Sequence, residues 1–138
     1  MPESADIELI RRLYERIGQQ DVESMIEFLD PEIELITPEG GFTGPTRGHE
    51  AARKMFASYT ESFDEFRIEP ESFIAGERPG QWLVLVRIEI RGRGSGVALT
   101  VDPAHLIEIR EGRIVRLEVF PNRKRAEAFE AAGLEPPD

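Results

Sequence analysis

Apolar side chains recur at Ile7, Ile10, Leu13, Tyr14 and Ile17, the spacing of a single helix face. Gly18 follows, and predicts that the helix ends there in a left-handed turn. Asp21 is placed to cap a second helix carrying Val22, Met25, Ile26 and Leu29. Pro31 ends that helix by forcing Asp30 out of the helical region. Glu32-Ile33-Glu34-Leu35-Ile36-Thr37-Pro38 alternates enough to read as a short strand. From Glu39 to Gly48 four glycines and one proline predict a loop. A third helix is expected from about His49 to Asp64, with Ala52, Met55, Phe56, Tyr59 and Phe63 along one face.

Beyond Phe66 the period drops from helical to alternating. Strands are predicted over Arg67–Ala75, Gln81–Arg91, Val97–Arg110 and Arg113–Phe120. Glu111-Gly112 supplies a two-residue hairpin link between the last two. Asn122 is placed to cap a terminal helix that stops at Gly133. Two helices, a strand, a helix and a four-strand meander make an α+β domain with helices on one face of an antiparallel sheet. The links between the later strands are too short for parallel crossovers. Neither an internal repeat nor a second-domain linker is visible, so one domain with its core from about residue 7 to 134 is expected.

Parity along the strands says which side chains face inward. In Gln81–Arg91 the even positions Trp82, Val84, Val86, Ile88 and Ile90 are all apolar and should face the core. The odd positions mix Leu83 and Leu85 with Arg87, Glu89 and Arg91. In the next strand Val97, Leu99, Val101, Pro103, Ile107 and Ile109 share a parity with His105. That histidine is the only ionisable group on an otherwise apolar face. Val115, Leu117 and Val119 face inward from the last strand. The expected result is an apolar cavity with one imidazole in its wall. Leu83, Leu85 and Leu106 fall on the opposite face, and an apolar patch there predicts a homodimer.

Composition narrows the classes of function. The chain has 138 residues and no cysteine, which excludes disulfides, thiolate metal sites and cysteine nucleophiles. Seventeen basic against 27 acidic residues leave a net charge of −10, which opposes binding to nucleic acid or anionic lipid. Arg123-Lys124-Arg125 is the densest basic cluster and reads as the solvated start of the final helix. No secretory leader or bilayer-length apolar run is seen, so a soluble cytoplasmic protein is expected.

Asp21 between two helices, Gly48-His49-Glu50 opening the third and the ending Ala126–Leu134 resemble the SnoaL-like and ketosteroid-isomerase-like branch of the nuclear-transport-factor-two-like superfamily. The likeness covers about Ile7 to Leu134 and rests on element order. It implies a cone-shaped fold, a curved antiparallel sheet wrapped around helices with an internal apolar pocket. The superfamily holds isomerases, cyclases, epoxide hydrolases, dehydratases and members that only bind or assemble. Its isomerases carry a carboxylate base at the end of the first strand before a proline, where this chain has Thr37 before Pro38. Their helix tyrosine falls at Leu13, with Tyr14 one residue on and turned by about 100°. Their protonated aspartate falls at His105.

His105 is therefore either an acid–base group or a satisfied core histidine. Tyr14 and Tyr59 offer phenolic donors and Trp82 a stacking surface, unless they only pack. Val86, Ile88, Leu117, Val119 and Thr37 complete the expected ligand wall. Asp102 would turn inward only at a bulge before Pro103, and Glu39 would reach the cavity mouth only from its loop. His49 reads as a loop anchor. Arg91-Gly92-Arg93-Gly94-Ser95-Gly96 lacks a following helix and reads as a hairpin loop rather than a phosphate cradle. Two histidines far apart in the pattern give no support to a metal site, and no cofactor is expected. Two functions follow: a cofactor-free isomerase, cyclase or lyase of small carbonyl compounds working through His105, or a non-catalytic binder of a small apolar ligand. A dimeric assembly domain is the blander third.

Overall fold

The computed structural model describes residues 2–37 and 44–136, apart from the side chains of 2–4, 44–45, 58–60 and 62. Helices α1 (Pro2–Gly18) and α2 (Val22–Ile26) precede strand β1 (Leu29–Thr37). Strand β2 (Gly44–Arg47) and helix α3 (His49–Ser62) follow. Then come β3 (Phe63–Ala75), β4 (Gln81–Gly92), β5 (Ala98–Val101), β6 (Ala104–Arg110) and β7 (Arg113–Phe120), and after a 3-10 turn at Asn122–Lys124 the short helix α4 (Arg125–Ala131). The strands form one curved, unclosed, seven-stranded sheet in the order β2-β1-β7-β6-β4-β3, with β5 beside the far end of β4. Among the described residues no helix is long and apolar enough to cross a membrane.

Local signals acted largely as their chemistry requires. Asp21 Oδ1 accepts from the Ser24 amide at 3.2 Å and caps α2. Glu111 and Gly112 both take positive φ, 52° and 75°, and turn β6 into β7. The left-handed residue after α1 is Gln20, with φ 59°, rather than Gly18. Asn122 makes no capping bond, and Pro121 stands at the start of the 3-10 turn. The glycine-rich segment expected to be all loop contains β2, antiparallel to β1. The sheet is mixed rather than wholly antiparallel, because β1 and β7 run parallel. These two strands lie most of the chain apart, so no short link constrains their direction.

The expected strand Val97–Arg110 is broken at Asp102-Pro103. Register with β4 is the same on both sides of the break, Leu85 opposite Ala104 and Ile88 opposite Val101. Proline has no amide hydrogen to give the ladder, which explains a local interruption without a shift. Arg125 holds the broken backbone, its Nε donating to the Asp102 carbonyl at 2.7 Å. It is half-buried rather than a solvated member of a basic cluster.

Helices α1, α2 and α3 cover the concave face. Ile10, Leu13 and Ile17 of α1 and Ala52 and Met55 of α3 join Trp82, Val84, Val86, Ile107 and Leu117 in one buried cluster. The convex face has its own cover. Leu83 and Leu106 are buried there with Ala104 and Phe120 under Ala128, Phe129 and Ala132, and Leu85 packs at the edge of that cluster. The leucines that suggested a dimer patch are thus occupied by α4 of the same chain. Farther along, that face carries ion pairs such as Arg47–Glu34 at 3.2 Å and Arg116–Glu118 at 3.1 Å.

Phe129→Ala should therefore lower the unfolding free energy by about 3 kcal/mol, read from the urea midpoint with unchanged slope. A loss below about 1 kcal/mol would mean that α4 does not hold the convex face.

Candidate functional site

Helical cover of the concave face runs out toward the end of β4. Ile88 faces Val101 and Ile90 faces Leu99 across the β4–β5 ladder, so all four lie on the face that carries Val84 and Val86. Leu99 and Val101 have the parity expected of them, yet they are 55% and 39% exposed. The uncovered end of the sheet becomes the wall of a cavity.

Two adjoining spaces occupy this region. The inner one, about 40 Å³, lies between α1, α3 and the sheet and is walled by Leu13, Tyr14, Met55, Ile68 and Leu117, among others. The outer one, about 530 Å³, is walled by Phe63, Ile90, Val101, Pro103 and Pro121, with Asp102, Asn122 and Arg123 at its polar edge. Phe66, Ile88, His105 and Val119 belong to both. A volume of 530 Å³ is in the range of small-molecule sites, whereas 40 Å³ admits little more than a water or the tip of a larger ligand.

His105 stands where the two spaces meet. It lies opposite Val84 on β4 and Val119 on β7. Its Nδ1 is 2.6 Å from the Tyr14 hydroxyl, a buried bond between β6 and α1. The rings stack with 5.8 Å between centroids. Among the described residues neither ring has a second hydrogen-bond partner. Arg116 Nε, 3.7 Å from a Glu34 oxygen, is the one fully buried side-chain nitrogen or oxygen without a hydrogen-bond partner among those residues, so the Nε2 of His105, which makes no hydrogen bond either, keeps access to open space. Burial holds the His105 pKa down at about 4 and raises that of Tyr14, so both groups are neutral near pH 7.

The other expected site residues divide. Ile88, Leu117 and Val119 line the cavity with His105 and Tyr14. Trp82 is buried beneath α1 and donates its indole N–H to Asp6 at 3.0 Å. Val86 is fully buried and Thr37 nearly so, and neither is in the described cavity wall. The side chain of Tyr59, and Glu39 altogether, lie outside the described residues. Asp102 does reach the outer cavity, because the interruption before Pro103 brings it to the rim. His49 Nε2 donates to the Leu29 carbonyl at 3.0 Å and anchors the start of α3 to β1. The glycine-rich stretch after Arg91 is the β4–β5 hairpin loop. Sequence reasoning missed Phe66, Ile90 and the turn at Pro121-Asn122-Arg123. Ile90 carried the parity signal, Phe66 lay outside the predicted strand, and the turn is brought in only by tertiary packing.

A family described as SnoaL-like domain matches residues 10–117. The chain is similar to the crystal structure of TerC co-crystallised with polyporic acid, at 25% identity over 93% of this chain and 97% of that one, with a TM-score of 0.75. It is also similar to SalBIII, an epoxide hydrolase/cyclase-like enzyme with a role in pyran ring formation in the polyether salinomycin, at 20% identity over 88% and 95% and a TM-score of 0.76. An NTF2-like protein of unknown function from Burkholderia pseudomallei has 22% identity over 93% and 97%, with a TM-score of 0.76. None of the curated proteins compared matches the chain.

The buried imidazole has a consequence for stability. Its folded pKa of about 4 lies below the ordinary 6.5, so the unfolded chain takes up the proton first. Stability fully present above pH 6.5 should be lost as pH falls toward 4, to the extent of roughly 3 kcal/mol. In His105→Phe, denaturant titrations at pH 7 and pH 4 should differ by that much less than in the wild type. Equal pH dependence in the two proteins would mean that the ring is solvated.

Proposed function

Because the chain belongs to the SnoaL-like domain family, we propose that it holds a small, largely apolar, oxygen-bearing molecule in this cavity and rearranges it by proton transfer, as an isomerase or cyclase that needs no cofactor. The observation that carries this reading is the Tyr14–His105 pair, a neutral imidazole set into an apolar wall between the two spaces. Water-poor surroundings strengthen any hydrogen bond such a ring makes to a ligand oxygen. The likeness to SalBIII, described as cyclase-like, supports the reading at the level of fold.

A proton removed from carbon needs an acceptor. Thr37 ends β1 where the related isomerases have a carboxylate, and a hydroxyl is no base at neutral pH. Asp102 is the one carboxylate among the described residues of the cavity wall. In the proposed arrangement it takes the proton while His105 meets the oxygen. Ligand storage without turnover is the second reading, favoured by the predominantly apolar wall of the inner space.

Deuterium exchange at the acidic carbon of 2-tetralone, followed by NMR in heavy water, separates the two. The wild type should accelerate exchange, and His105→Phe and Asp102→Asn should each cut the acceleration by about 100-fold or more. Binding of the ketone without accelerated exchange would leave storage as the function.

A further inference from the structure

Tyr14 and His105 share one short bond, and two arrangements of protons satisfy it. In the first, the phenol donates to Nδ1 and the ring carries its own hydrogen on Nε2. In the second, Nδ1–H donates to the phenol oxygen and the phenolic hydrogen points elsewhere. The two differ in what is left over. The second arrangement leaves the O–H of Tyr14 without an acceptor side chain, since the inner space that Tyr14 lines is otherwise walled by aliphatic, aromatic and methionine side chains besides His105 itself. It also leaves Nε2 bare. No second acceptor for Tyr14 exists among the described residues. An unsatisfied hydroxyl in apolar surroundings is costly. The first arrangement places the spare donor at Nε2, beside the roomier outer cavity where water or a ligand can accept it.

We infer that Tyr14 is a positioning residue that locks His105 in the Nε2–H tautomer, so that the cavity presents a hydrogen-bond donor and selects ligands with an acceptor oxygen, a ketone, quinone or enolate. The ring nitrogen not bonded to tyrosine sets what the ligand sees. With both groups neutral near pH 7, His105 polarises a carbonyl as a fixed donor and does not abstract a proton through Nε2. This inference rests on the proposed use of the cavity and assigns His105 one side of it. Ligands that offer only donors, such as alkylammonium ions, are disfavoured.

The test is made on the ligand-free, ¹⁵N-labelled full chain at pH 7, with long-range ¹H–¹⁵N correlations of the imidazole rings assigned by His49→Gln. The wild-type His105 should show a protonated Nε2 and a bare Nδ1. Tyr14→Phe, which keeps the ring and loses only the hydroxyl, should give a mixture with a substantial Nδ1–H population while backbone amide shifts elsewhere stay in place. A wild-type ring in the Nδ1–H form, or a Tyr14→Phe ring still locked at Nε2–H, would overturn the inference. Should the variant fail to fold, the wild-type spectrum alone decides. The tautomer is read without turnover, so failure of the exchange assay and failure of the lock are separate results.

Discussion

A strand with two apolar faces has to be covered twice, and β4 is that strand. Trp82, Val84 and Val86 face one way, Leu83 and Leu85 the other. A slip of one residue against β6 would exchange the two sets, and the register there runs without a shift, whereas β3 takes up two irregularities, between Phe63 and Glu65 and between Pro70 and Ser72. Helices α1 and α3 cover the concave set, and α4 covers the convex one. The cavity is the shortfall in this arrangement. Apolar alternation continues through Ile88, Ile90, Leu99 and Val101 after the helices have ended.

Polar groups inside such a core need partners, and two of them find theirs across the junction of helix and sheet. The Trp82 indole donates to Asp6, and the Tyr14 hydroxyl meets His105. Both bonds tie α1 to the sheet, one at β4 and one at β6. The helix is therefore fixed in rotation as well as in depth, since apolar contact alone is non-directional. That rotation brings Tyr14, rather than Leu13, to the imidazole, although both are buried.

Much of this was legible in the sequence wherever a single side chain had to choose a face. The even positions of Gln81–Arg91 are all apolar while the odd ones mix leucines with charges, which marked Val84 and Val86 as inward, and the same parity count placed His105 beside them. The hairpin at Glu111-Gly112 was legible because two left-handed residues in succession demand such a pair. What could not be read was decided by distant neighbours. A seven-residue helix such as α4 gives no hint of which face it will cover, so Leu83 and Leu106 looked like an exposed patch. The parallel pairing of β1 with β7 joins segments whose patterns say nothing of each other's direction. Tyr14 against Leu13 is a rotation of one residue on a helix, finer than periodicity resolves.

Helix α4 connects the two halves of this picture. Its first residue, Arg125, donates to the Asp102 carbonyl, and the turn before it supplies Pro121, Asn122 and Arg123 to the cavity wall. The break at Asp102-Pro103 takes one amide donor from the ladder, and the carbonyls there are still satisfied: Val86 of β4 donates to Pro103, and the Arg125 guanidinium to Asp102. The element that shields the convex leucines therefore also shapes the rim of the concave cavity. Loss of α4 packing would act on both faces of the sheet at once. Stability and the geometry around His105 are for that reason coupled through a helix that does not touch the imidazole.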